Sequence, residues 1–119
     1  MSNMTLNRRR FTLPAHGVIE FVLGIITLFS PALFGFGHSG VVVAILFGSL
    51  LIGMAVTVSA DHGSSFGWHH LFDMTFVIAT AIAAFGLAVA GEATAAVFLA
   101  ALAIVQSGLN LATRYVAVR

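Results

Sequence analysis

Four long apolar runs, separated by three short polar or glycine-rich breaks, organise this chain. The first covers residues 14–36. It opens at Pro14, which suits the first turn of a helix because it has no N–H to lose there. Its length meets the roughly 20 residues that a hydrocarbon core of about 30 Å requires. Pro31 should bend its far end, with Ser30 or a neighbouring helix compensating the lost backbone bond. The Gly35 to Gly40 stretch reads as a turn, and residues 41–60 form a second apolar run carrying Gly48, Ser49 and Gly53 for close helix approach. After the polar stretch from Asp61 to Asp73, residues 71–90 and 93–114 predict a third and a fourth helix around a minimal Gly91-Glu92 turn. In the third, Ala79, Ala83, Gly86 and Ala90 should let backbones approach.

These runs are apolar all round, whereas a soluble four-helix bundle needs polar outer faces. The fold class is therefore all-α: a polytopic membrane protein with four transmembrane helices arranged as two hairpins. The division is a basic arm at 1–13, a first hairpin at 14–60, a loop at 61–69, a second hairpin at 70–114 and a tail at 115–119.

Composition sharpens this picture. Of 119 residues, 60% are hydrophobic and only 8% charged, against about 25% charged in soluble proteins. All five basic residues are Arg: Arg8, Arg9 and Arg10 before the first helix, Arg114 and Arg119 at or beyond the end of the fourth. By the positive-inside rule both termini and the central loop are cytoplasmic, and the turns at His38 and Glu92 face the other side. Five Arg on one side and none on the other argue against dual topology. The asymmetry speaks of topology and not of nucleic acid. Asn7 to Phe11 faintly resembles a twin-arginine export signal, but the run behind it carries Glu20, is long enough to span and lacks a small-x-small cleavage site, so it reads as a retained anchor. Cysteine is absent, which excludes disulfides, thiolate metal sites and cysteine nucleophiles.

The two hairpins look like copies of each other. A shift of 53 places pairs His16 with His69, Glu20 with Asp73, Ile25 with Ile78 and Thr27 with Thr80 without a gap. Two copies with an even number of spans give parallel repeats about an axis along the membrane normal. Each hairpin thus opens with His, three residues and a carboxylate. His16 and Glu20 share a helix face, as do His69 and Asp73, and His70 lies three residues before Asp73. Glu20 sits about 9 Å beyond Pro14 along the axis, where a carboxylate costs a few kcal/mol unless paired, protonated or wetted. The candidate site is accordingly His16, Glu20, His69, His70 and Asp73, facing the cytoplasm. Three uses compete: mutual pairing that locks helix one to helix three, divalent-metal or proton chemistry, and, least favoured, a haem between His16 and His70. Glu20 is expected within hydrogen-bond reach of His69 or His70, and Asp73 near His16.

Other polar residues carry blander readings. Phe66 with Trp68, and Tyr115, are expected as interfacial anchors. Gln106, Ser107 and Asn110 form a seam suited to interhelical hydrogen bonds. Thr27, Ser49, Thr75 and Thr80 can bond their own helix backbone, and His38 and Glu92 should be solvated at the outer turns. No phosphate-cradling glycine loop, serine nucleophile elbow or HExxH motif is present, so no enzyme activity is expected.

The run from Glu20 to Phe36, with Gly24, Ser30-Pro31 and an apolar-Phe-Gly-Phe turn, resembles the SPW-repeat family of small bacterial membrane proteins, and the likeness continues to Gly48 and Gly53. It departs at position 32, where Ala stands for the tryptophan, and at Ala83-Ala84, where a second Ser-Pro would stand. Two-helix repeats of similar size occur in acid-resistance membrane proteins of the HdeD type. The resemblance implies a four-helix protein of the bacterial inner membrane and hands over no catalytic residue. Together these readings give a structural, assembly or stress-related membrane protein. It would pack with itself as a homo-oligomer or with a larger membrane complex. The alternative is a metal-binding or proton-conducting protein built on the His and carboxylate cluster.

Overall fold

A computed structural model describes residues 11–60 and 66–114. Arg8 to Arg10, Asp61, His62, Tyr115 and Arg119 lie outside the described residues, so the predicted arm, most of the central loop and the tail do too. Four helices follow in order: α1 (Leu13–Phe34), α2 (His38–Ala60), α3 (Phe66–Val89) and α4 (Ala93–Ala112). Each contains a stretch of at least 20 residues apolar enough to cross a membrane. The all-α, four-span expectation is met, with one addition: a two-residue parallel bridge joins β1 (Phe11–Thr12) to β2 (Thr113–Arg114), pairing Phe11 with Thr113 and Thr12 with Arg114. This bridge ties the start of α1 to the end of α4.

Local chemistry explains the boundaries. Thr12 caps α1 by accepting a hydrogen bond from the Ala15 N–H at 3.3 Å, with Pro14 in the first turn. Pro31 leaves the Thr27 carbonyl without its i+4 donor, and the Ser30 hydroxyl donates to that carbonyl at 2.6 Å. The helix therefore runs past Pro31 and stops at Gly35, whose φ of 67° suits glycine and whose N–H bonds the Pro31 carbonyl at 2.9 Å. Helix three starts at Phe66, five residues before the expected Leu71, so Trp68, His69 and His70 are helical and not part of a loop.

Each hairpin packs along its own length, and the two hairpins meet along α1 with α4 and α2 with α3. The helices thus form a ring in which α1 and α3 stand on one diagonal. Within the first hairpin the closest crossing is at Gly24 and Gly48. A Cβ on Gly24 would stand 3.0 Å from the Gly48 carbonyl oxygen and 2.7 Å from Ile52 Cγ1, so only glycine permits this backbone approach. Gly53 and Gly86, also expected at contacts, instead face open space. The core of the second hairpin uses Ala84, Leu87, Leu99 and Leu102 together with Phe47, Leu51 and Phe76. Outward side chains such as Phe29, Leu33, Ile82, Phe85, Val97, Ile104 and Leu111 are 61–74% exposed. Such a surface is stable against lipid and not against water.

At the outer turns, Glu92 is half-buried and not simply solvated. Its Oε1 accepts from the Gly40 N–H at 2.9 Å. It thereby satisfies one of the orphan donors at the start of α2 and places a negative charge on the positive end of that helix. His38 is exposed, as expected.

Candidate metal centre

The start of α1 presents His16 and Glu20 on one face, and the start of α3 presents His69 and Asp73 on the corresponding face. The diagonal placement of these helices turns the two faces toward each other. His16, Glu20 and Asp73 are fully buried and His69 is 5% exposed. The His16 Nε2 lies 2.9 Å from Asp73 Oδ2 and 3.2 Å from Glu20 Oε2, and the His69 Nε2 lies 3.0 Å from Glu20 Oε1 and 3.3 Å from Asp73 Oδ2. Each imidazole therefore faces both carboxylates. The two rings stand edge to face with centroids 5.5 Å apart. Glu20 meets His69, and its repeat mate Asp73 meets His16, as the pseudo-two-fold relation requires. Thr27 and Thr80 repeat the relation higher up, each hydroxyl donating to its own i−4 carbonyl, on Leu23 and Phe76, at 2.7 Å.

Four of the five predicted residues come together, and His70 does not. It sits one position past His69 on α3, about 100° round the helix, and its side chain is exposed.

Three residues of the site were not named as such in the sequence. Gln106 Nε2 donates to Glu20 Oε2 at 2.7 Å and to Asn110 Oδ1 at 3.3 Å. Both side chains are buried, so part of the predicted α4 seam is a wall of the cluster. Thr113 comes in through the β1–β2 bridge, and its Oγ1 lies 2.7 Å from His16 Nδ1. The single hydroxyl proton of Thr113 is directed to the Leu109 carbonyl at 2.6 Å. The Thr113 oxygen therefore accepts, and His16 Nδ1 carries the hydrogen and donates. That choice turns Nε2 toward the carboxylates. The i, i+4 spacing of Gln106 and Asn110 signalled a shared face. Nothing signalled that this face meets Glu20.

The arrangement has the chemistry of a cation site. One ligand atom from each of His16, Glu20, His69 and Asp73 falls within 4.8 Å of all the others. In a tetrahedron with bonds of about 2.0–2.1 Å, neighbouring ligand atoms stand about 3.3 Å apart; the N–O separations here are 2.9–3.3 Å, with Glu20 offering Oε2 to His16 and Oε1 to His69. Two imidazoles and two carboxylates suit Zn, Mn or Fe(II) better than Ca or Mg. A second layer is present as well: Thr113 orients His16, and Gln106 orients Glu20. Gln106 Oε1 is buried with no hydrogen-bond partner among the described residues. No family model matches the chain, and no curated protein or solved structure matches it either.

Proposed function

We propose that this integral membrane protein holds a divalent transition-metal ion between its two hairpins, with His16, Glu20, His69 and Asp73 as ligands. The observation that carries this reading is the convergence of four ligand atoms from two helices, each first helix contributing one imidazole and one carboxylate, with Thr113 and Gln106 holding two of them in orientation. Two carboxylates bring two negative charges below the headgroups, where an unbalanced acidic group costs about 3 kcal/mol. A dication balances both at once and staples α1 to α3. Helix packing and ion binding are then one function. The five Arg at the chain ends orient the site toward the cytoplasm. The exposed apolar surface is then covered by lipid and by further copies or a larger membrane partner. A bacterial inner-membrane location and a place among the SPW-repeat proteins belong to the same proposal, carried by the Glu20 to Phe36 run.

A second reading has its own support. The N–O separations are also hydrogen-bond lengths, so protons on both imidazoles would balance the same two charges and lock the hairpins without an ion. Elemental analysis of the purified full-length protein separates the two. One equivalent of Zn, Mn or Fe is expected, removed by chelator with a fall in melting temperature and restored by the metal. A metal-free protein whose melting is indifferent to all three ions would sink the metal reading and leave the proton-closed lock.

A further inference from the structure

The repeat that relates α1 to α3 also relates α2 to α4, so Gln106 corresponds to Gly53 and Asn110 to Thr57. On the α4 side, Gln106 closes the cluster by bonding Glu20. On the α2 side no side chain stands at position 53, and a Cβ built there would meet nothing within 4 Å. A cavity of about 780 Å³ fills that side, between α2 and α3. His69 belongs to the cluster and to the wall of this cavity, and most of the rest of the wall is apolar, with the rings of Phe47, Trp68, Phe72 and Phe76.

We propose that this cavity binds a lipid-soluble molecule with a flat ring head bearing hydrogen-bonding oxygens, of the quinone class, its ring among the aromatic side chains and an oxygen directed to His69. The volume lies in the range of about 300–1,000 Å³ typical of small-molecule sites, which pair an apolar wall with few polar groups. Four rings favour a flat head by stacking. A phospholipid headgroup is a poorer fit, because among the described residues the cavity wall holds no Lys or Arg to meet a phosphate. A second copy of the chain is a poorer fit too, since the wall offers far less than the roughly 800 Å² per partner of a stable interface. The proposal stands whether metal or protons balance the cluster, because it needs only the His69 imidazole at the cavity wall.

Trp68 is the sole tryptophan and lies on the wall, so its fluorescence reports occupancy. The full-length protein in lipid nanodiscs is titrated with decylubiquinone, with and without chelator. Saturable quenching is expected, weakened at least tenfold in Gly53→Leu, whose side chain enters the cavity, and unchanged in Gly86→Leu, which faces open space elsewhere. Should Gly53→Leu melt early, His69→Gln reads the same point and should also weaken quenching tenfold. Quenching that rises linearly without saturation, or that saturates equally in Gly53→Leu and His69→Gln, would overturn the proposal. So would a Gly53→Cys variant that forms an intermolecular disulfide in the membrane, because a second copy would then cover the cavity. Metal content is measured on the same samples, so failure of the metal reading is seen independently of the quenching result.

Discussion

The first helices of the two hairpins obey the internal repeat in chemistry as well as in position, and the second helices obey it in position only. α1 and α3 place an imidazole and a carboxylate at matching depth, and the four groups meet across the diagonal of the bundle. α4 then adds Gln106 and Asn110, where α2 has Gly53 and Thr57. One side of the cluster is closed by amide hydrogen bonds and the other opens on an apolar cavity. A repeat can thus supply a symmetric set of imidazoles and carboxylates while its less constrained halves give that set a closed face and an accessible one.

The largest expected effect tests the symmetric part. Glu20→Ala and Asp73→Ala should each abolish metal retention and cost about 3–5 kcal/mol of stability, since removing one partner leaves buried charge uncompensated. Thermal melting with metal analysis checks both. Loss in one variant and not in the other would break the equivalence of the two repeats.

The next effect concerns Gly48 and Gly53 of α2. Gly48→Leu should destabilise by about 2–3 kcal/mol or prevent assembly, because a Cβ there already meets Leu28 Cγ at 2.9 Å and the Gly24 carbonyl at 3.0 Å. Gly53→Ala should be neutral or gain up to about 1 kcal/mol, a helix interior favouring alanine where space is open. Equal melting temperatures for the two variants would contradict the placement of the α1–α2 crossing.

The asymmetric wall comes next in size. Gln106→Leu should weaken metal affinity about 10- to 100-fold, the usual cost of losing a group that orients a ligand. Thr113→Val should do the same through His16, and Thr113→Ser should restore affinity, a recovery that a purely steric role for Thr113 would not give. Competition titration with a chelating dye measures all three.

The smallest effect sharpens the comparison at the Ser-Pro turn, which only the first hairpin has. Ser30→Ala should cost about 1 kcal/mol, because the Thr27 carbonyl then loses its donor. Ala83→Ser, at the matching position of α3, should change stability by less than about 0.5 kcal/mol. A stability loss in Ala83→Ser as large as in Ser30→Ala would show that the turn owes nothing to Pro31.

Much of this molecule is set by the sequence read on its own. Apolar runs of about 20 residues leave a backbone in lipid no alternative to helix, so four spans and two hairpins follow directly. The 53-residue repeat and the i, i+4 spacing place His16 with Glu20 and His69 with Asp73, and the cost of a carboxylate in hydrocarbon turns them inward. Rotation about each helix axis is a different matter. In water a polar stripe announces which face looks out, but a helix that is apolar all round carries no such stripe. Whether His69 or His70 joined the cluster, whether Gly48 or Gly53 lay at the crossing, and whether Gln106 met Glu20 or another helix were therefore undecided until the helices were packed. Thr113 entered through a bridge between the two ends of the described chain, and Glu92 reached Gly40 across the outer turns. Both contacts join residues more than 50 positions apart, a distance over which local pattern carries no information and only close packing of the bundle decides.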